Sequence, residues 1–511
     1  MGKTFRIDFI LFGLVVSAAL AGIFTLYAQE SVLEESPGRF FRQVIFFGVG
    51  LVVCFALRKL QYQTLGDYAL PLYALAIVLL LITLIPGIGS ESKGARSWIR
   101  FGVFGFQSSE VAKLCTVILL AKYLELKEKE MFKLPSLIIP FMIAMLPMVL
   151  IVVQPDFGGA FSLAPILMSM LFVAGADIYH ISSVLMFFGV SISIPLYIEY
   201  HKITMIDPLK LYLAEELQKP DLLPIVPILN LDVWKFIDRG FVPTSVADQD
   251  RSYLLGILNN PSLLQDLQEA AAAVRYKSGG LLLLILENIT LLVVLGSIMA
   301  LVALVLVVLR YTQGRSLEGL RKAYIPLGVL GVSLLAATTF HTAFSFKYHQ
   351  VVRVTAFVSP EKFPRDLAYQ IRASKAAIGS GQVVGRGFFE GDMTMGDRPL
   401  VPEAYTDFIF TAWSERMGFL GAVALLLVLI GIPLRSLQLS FEARDRFGSL
   451  LAAGIAFMFF YHIALNTGIA LGLLPVTGIP LSFVSYGGSH LVTCMAGVGI
   501  LLSIYRRRFA N

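Results

Sequence analysis

The chain is poor in charge and almost without cysteine. Only 15% of its 511 residues are Asp, Glu, Lys or Arg, 57% are hydrophobic, and the mean hydropathy is +0.76. So little charge cannot solvate the surface of a soluble protein of this size, and that class is excluded. Cys54, Cys115 and Cys494 lie inside apolar runs without paired spacing, which excludes a disulfide framework and a CxxC metal site. No basic run exceeds Arg506, Arg507 and Arg508, which close the last apolar segment, so the net charge of +6 does not point to nucleic acid. Tandem repeats and low-complexity tracts are also missing.

What is there is a series of long apolar runs. They fall near residues 7–28, 41–57, 69–88, 109–123, 135–153, 159–176, 181–198, 281–309, 323–345, 408–434, 448–471 and 489–505. Lipid offers the backbone no hydrogen-bond partner, so each must be helical, and the fold is an all-α polytopic membrane helix bundle of about twelve spans. Lys3 and Arg6 ahead of the first run resemble a signal peptide, but the run has spanning length and reads as a retained span. Lys and Arg gather in the short loops at 58–59, 127–133, 310–322 and 435–446 and after 505. The positive-inside rule then puts both termini in the cytoplasm of a multi-pass protein. Five regions follow: membrane spans over 1–199, an extracytoplasmic helical insert at 200–280, further spans at 281–345, a large outward-facing loop at 346–407, and the closing spans at 408–511. In the insert, Asn260 suits a helix cap, Pro261 the first helical position, and the Ala run that follows favours helix.

The outward loop is rich in glycine. "SKAAIGSGQVVGRGFFEG" sets Gly379, Gly381, Gly385, Gly387 and Gly391 among Arg372, Lys375 and Arg386, a composition that lets backbone approach an anion and that serves ordinary turns equally well. Charges also stand close to the spans, and an ionised group at the centre of one costs about 2.5 to 3.5 kcal/mol on an insertion scale. Glu110 and Lys113 share one helix face and can pair, with Ser109 as an alternative cap. Asp156, in the tight turn "QPDFGG", can cap the next helix. Asp407 can do the same where the loop enters a span. Glu415 lies eight residues deeper, about 12 Å along the axis and offset by about 80°, so a cap cannot account for it. Both acids are expected to border one wet cleft.

Six stretches, in order, are similar to the shape, elongation, division and sporulation (SEDS) family: "GARSWIRFG", "FQSSEVAKL", "QPDFGGA", "SKAAIGSG", "PEAYTDFIF" and "NTGIALGLLPVTGIPLSFVSYGGSHL". "SKAAIGSG" favours the elongation branch over the cell-division branch. The resemblance covers all but about residues 200 to 320, which appear as an insert and two spans added to a family core of ten.

The resemblance implies a peptidoglycan glycosyltransferase in the bacterial cytoplasmic membrane. It would join the disaccharide-peptide units of lipid II, carried on undecaprenyl pyrophosphate, at the outward face. Asp407 matches the family's aspartate in "TDF" and is the implied general base. Lys375, Arg386, Lys113, the glycine-loop amides or a divalent cation (Mg or Mn) could meet the leaving pyrophosphate. Glu110, Lys113 and Asp156 match recurrent family positions and are implied cavity or support residues, beside Glu415, which the helix geometry places at the cleft and the family pattern matches only in part. A class B penicillin-binding protein transpeptidase and other membrane proteins of the elongation complex are the implied partners. Departures from the family pattern are Tyr405 for His, Arg416 for an acid, Gly105 for Arg and Ser97 for Arg, with Arg96 and Arg100 near enough to substitute. Two alternatives stand beside the enzyme: a flippase for the lipid-linked precursor, and an inactive scaffold of the elongation machinery.

Overall fold

The computed structural model describes residues 7–31, 38–86, 89–92, 95–101, 104–132, 134–216, 222–229, 233–243, 246–313, 321–343, 357–358, 367–395 and 399–508. In chain order the elements are α1 (Phe9–Ser31), α2 (Arg39–Lys59), α3 (Tyr62–Asp67), α4 (Ala69–Leu84), β1 (Gly89–Ser92), β2 (Ala95–Phe101), β3 (Phe104–Gln107), α5 (Ser108–Leu126), α6 (Ile138–Val153), α7 (Phe157–Val173), α8 (Ile178–Thr204), α9 (Ile206–Leu211), α10 (Ile225–Leu229), α11 (Val233–Arg239), α12 (Asp248–Leu258), α13 (Pro261–Glu287), α14 (Ile289–Gln313), α15 (Arg321–Ala343), α16 (Leu367–Ser380), α17 (Ile409–Glu442), α18 (Arg446–Ala470) and α19 (Gly488–Arg507). Among the described residues, nine helices are long and apolar enough to cross a membrane. Each of the expected spans coincides with a helix. The run at 281–309 is an exception in detail, because it breaks at Asn288, whose Oδ1 accepts from Leu291 N at 3.0 Å and starts a new helix.

The chain divides into two compact units, residues 1–181 with 363–511, and residues 182–362. In the first, α18 and α19 stand innermost, with 67% and 89% of their apolar windows buried, whereas α2 has 17%. Small residues permit this depth. A Cβ on Gly454 of α18 would lie 2.6 Å from Val117 and 2.8 Å from Met170, so α5 and α7 touch its backbone directly. The short sheet β1-β2-β3, antiparallel throughout, occupies the expected loop at 89–108, and no periodicity announced it. Ser489 of α19 fixes it, accepting from Gln107 N and donating to Gly105 O, both at 3.0 Å. Gly105 is the residue that fits there, since a Cβ would stand 3.0 Å from the Trp98 ring.

In the second unit, α9 to α13 enclose their own core of Leu209, Trp234, Phe236, Leu267 and Ala271. Asn260 precedes α13 in extended conformation with Pro261 at the first position, but its side chain makes no cap; Oδ1 accepts from Ser262 Oγ instead. Helices α14 and α15 meet at Gly296 and Gly331, where an added Cβ would come within 2.9 Å of the opposite backbone.

Candidate active site

Asp407 ends a tight turn ahead of α17. Glu403 begins it with φ 57°, a left-handed backbone that costs a non-glycine residue about 1 kcal/mol or more. Its carbonyl accepts from Thr406 N at 3.0 Å and Phe408 N at 3.3 Å, and its carboxylate from Thr406 Oγ1 at 3.1 Å. The carbonyls of Tyr405, Thr406 and Asp407 are then held from outside the turn. Tyr486 N donates to Tyr405 O at 2.9 Å, Ser485 Oγ to Thr406 O at 2.6 Å, and Asn466 Nδ2 to Asp407 O at 2.9 Å. Asn466 Nδ2 also reaches Ile479 O at 2.8 Å. Two sequence stretches far apart, "PEAYTDF" and "NTG…SFVSYGG", thus form one rigid piece. The residue preceding α17 is Phe408, whose own side chain makes no capping hydrogen bond.

Arg39, at the start of α2, lies with its guanidinium 3.8 Å from the centre of the Tyr405 ring. The Tyr486 ring stands 6.3 Å from Tyr405, edge-on. Burial, and then the charge and hydrogen bond of Glu403 with Asp407 adding, push the Tyr405 hydroxyl above its ordinary value, while Arg39 opposes them. At neutral pH the hydroxyl is therefore a donor. Sequence reasoning missed Arg39; its only signal was a lone Arg ahead of an apolar run.

Of the two tasks that its composition allows, the glycine loop shows a structural one. "SKAAIGS" is the end of helix α16, and Ser374 docks that helix through Ala470 O (2.8 Å) and Thr411 Oγ1 (2.6 Å). Lys375 beside it is exposed, and its stem crosses Gly472. Residues 382–387 then fill a break in α17 at Gly418 (φ 64°, ψ −166°). Arg386 N and Gly387 N donate to the carbonyls of Glu415 and Arg416, and Phe419 N and Leu420 N donate to those of Gln382 and Val383. The loop amides thus complete a helix, and Gly385, φ 89°, allows the approach because a Cβ would lie 1.9 Å from Arg416 O. The Arg386 guanidinium pairs with Asp392.

Glu415 is fully buried and turned to the same loop, not to an open cleft. Its carboxylate accepts from Met393 N (3.0 Å), Thr394 N (3.1 Å) and Thr394 Oγ1 (2.5 Å). Arg416 points away, donating to Thr25 O of α1 at 2.9 Å.

Glu110 and Lys113 meet at 2.7 Å inside the bundle. The second Glu110 oxygen is 3.0 Å from His490 Nδ1, Lys113 Nζ is 3.3 Å from His462 Nε2, and His462 Nδ1 is 3.4 Å from Ser482 Oγ. The two histidines were not foreseen, because each sits alone in an apolar helix. Asp156 caps α7 through Gly159 N (2.9 Å) and also accepts from Ser109 Oγ (3.1 Å) and Gln107 Nε2 (3.2 Å). Arg96 and Arg100 belong to β2, and their side chains lie outside the described residues. No group of three His, Cys, Asp or Glu side chains among the described residues could cage a metal ion.

These features define a polytopic helical membrane protein with an acid-bearing turn locked to a glycine- and serine-rich loop. The chain belongs to the FtsW/RodA/SpoVE family, described as "Cell cycle protein", whose profile matches residues 4–214 and 265–509. The unmatched residues 215–264 lie within the helical insert. The chain is similar to peptidoglycan glycosyltransferase RodA of Treponema pallidum (29% identical over 505 residues, 98% of each chain). It is likewise similar to probable peptidoglycan glycosyltransferase FtsW of Trichlorobacter lovleyi (25% over 511 residues, 98% of this chain and 94% of that one). Among solved structures, a chain from work on "Structural coordination of polymerization and crosslinking by a peptidoglycan synthase complex" shares the fold, with TM-score 0.60, 21% identity and coverage of 99% and 100%.

Proposed function

We propose that the chain is a peptidoglycan glycosyltransferase that polymerises lipid II, with Asp407 as general base. The names of its relatives support the reaction class, RodA and FtsW alike. Support for the base is the turn itself. Three consecutive carbonyls are held by three donors, so the Asp407 backbone is fixed before substrate arrives, as a positioned base requires. In the proposed step the acceptor sugar hydroxyl attacks the anomeric carbon of the donor and its proton passes to the Asp407 carboxylate. The bond from that carbon to the lipid pyrophosphate breaks, the pyrophosphate keeps the electron pair, and direct displacement inverts the centre. Arg39 and the neutral Tyr405 hydroxyl flank the turn and would oppose the charge of the leaving group.

The elongation role, the outward-facing site, the cytoplasmic termini and a class B penicillin-binding protein as partner belong to the same proposal. The basic loops and "SKAAIGSG" support them, as does the likeness to a chain of a synthase complex. A flippase would want paired broken helices lining a path. The break in α17 is instead filled by residues 382–387. Purified protein incubated with lipid II tests the reading. Strands made by the wild type and lost in Asp407→Ala and Asp407→Asn support it; strands that persist in both variants remove Asp407 as base, and a folded wild type that makes none favours the scaffold.

A further inference from the structure

At the end of the bundle where α2 and α19 terminate, Arg58 is only 7% exposed, and its Nε and Nη2 have no hydrogen-bond partner among the described residues. The burial has a local cause. Gly499 lets α19 close on the last turns of α2, since a Cβ there would stand 2.6 Å from Cys54 O and 3.0 Å from Leu57. The guanidinium is thereby packed against α19. Arg506 bears on both Arg58 and Arg507. None of the three forms an ion pair among the described residues. Arg507 is directed to Lys59 O (2.9 Å) and Ser503 Oγ (2.6 Å), and Ser503 Oγ to Leu60 O (2.7 Å), so these two carbonyls take donors from α19 while Nε and Nη2 of Arg58 do not reach an acceptor. Two carboxylates at this end are already engaged: Asp445 accepts from Tyr62, Gln63 and Gly448 N, and Glu442 pairs with Arg435 and Arg508.

A buried guanidinium with two idle donors beside a second guanidinium is a costly arrangement unless an anion completes it. We propose that Arg58 and Arg506 form a binding site for a phosphate oxyanion, namely the phosphodiester headgroup of an anionic lipid. Both helices are spans that end here, so the site lies at the depth where headgroups reside, and a guanidinium fork matches two phosphate oxygens. The helix C-termini disfavour an anion, and the cluster of cations is what outweighs them.

The test uses the full chain, delipidated in neutral detergent, with thermal unfolding followed during titration of phosphatidylglycerol, phosphatidylcholine or inorganic phosphate. Phosphatidylglycerol is expected to raise the midpoint by several degrees and phosphatidylcholine much less. Arg58→Met and Arg506→Gln should each weaken the apparent lipid affinity about tenfold or more, as loss of a charge-assisted contact implies. A response to inorganic phosphate equal to that for phosphatidylglycerol, lost in the same variants, keeps the oxyanion site but assigns it to free phosphate. No response to either, or the same response in both variants as in wild type, overturns the site. Arg506→Gln keeps the test open if Arg58→Met does not fold.

Discussion

Asn466 and Asp407 are joined by a hydrogen bond of 2.9 Å, from a buried amide of α18 to the carbonyl ahead of α17. The same amide nitrogen holds Ile479 O at 2.8 Å, so one side chain sets both the acidic turn and the loop behind it.

Replacing Asn466 by Ala leaves two carbonyls without this donor. Each loss is worth about 1 to 3 kcal/mol, and a displaced turn would move the Asp407 carboxylate by a fraction of an ångström to about 1 Å. The expected outcome is a fall in kcat on lipid II of roughly 10- to 100-fold, with KM changed much less. Steady-state polymerisation rates measured across lipid II concentrations check it; an unchanged kcat would show that the turn holds its shape without Asn466.

The glycine loop offers a contrast within one motif. At Gly385, φ 89°, an added Cβ would strike Arg416 O, whereas at Gly379, inside α16, nothing lies within 4 Å. Gly385→Ala is expected to destabilise by about 2 to 4 kcal/mol and Gly379→Ala to be neutral or stabilising by up to about 1 kcal/mol. Thermal unfolding in detergent reads both. If the two variants melt alike, the loop does not complete α17 as described.

How legible this was depends on what kind of signal each feature leaves. The helices were plain, because a membrane span must be a long apolar run. The Glu110 and Lys113 pair was also readable, since three residues separate them on one helix face. The sheet at 89–107 was not, because its strands are short and mix polar with apolar residues without alternation. Nor was the break at Gly418, which is written in φ and in a partner strand of loop some 30 residues earlier in sequence. His462, His490 and Arg39 matter through contacts over large sequence separations, and no local pattern encodes those. Glu415 was noticed for the right reason, a buried acid without a cap to explain it. The structure turns it inward to Met393 and Thr394, where the sequence suggested a wet cleft.

Tyr405 links the site to pH. Its hydroxyl titrates above the ordinary value of about 10, so as pH rises past that point the unfolded chain loses this proton first. The folded state then binds more protons than the unfolded one, and stability falls with pH until the folded hydroxyl also ionises. Below about pH 10 the contribution is complete. Tyr405→Phe is expected to lose that contribution at pH 7 and to flatten this part of the alkaline decline. Unfolding midpoints of the two proteins at pH 7, 9, 10 and 11 decide it: parallel declines would mean that the hydroxyl is not held by its neighbours.

The buried Glu110 and Lys113 pair should respond unequally to loss of either partner. Without Lys113, the Glu110 carboxylate retains a donor in His490 at 3.0 Å. Without Glu110, the Lys113 ammonium faces only the His462 ring nitrogen at 3.3 Å and has no counter-charge. Removing one member of a buried pair costs about 3 to 5 kcal/mol when the other is stranded. Glu110→Leu is expected in that range, and Lys113→Met below it, at about 2 to 3 kcal/mol, because the histidine softens the stranding. Combining them removes both charges, so the double variant should recover part of the loss and give a coupling energy of about 1 kcal/mol or more. A double-mutant cycle on unfolding free energies measures all three quantities. Equal single losses that add without coupling would mean that the two charges do not depend on each other, and that His490 contributes nothing to holding the carboxylate.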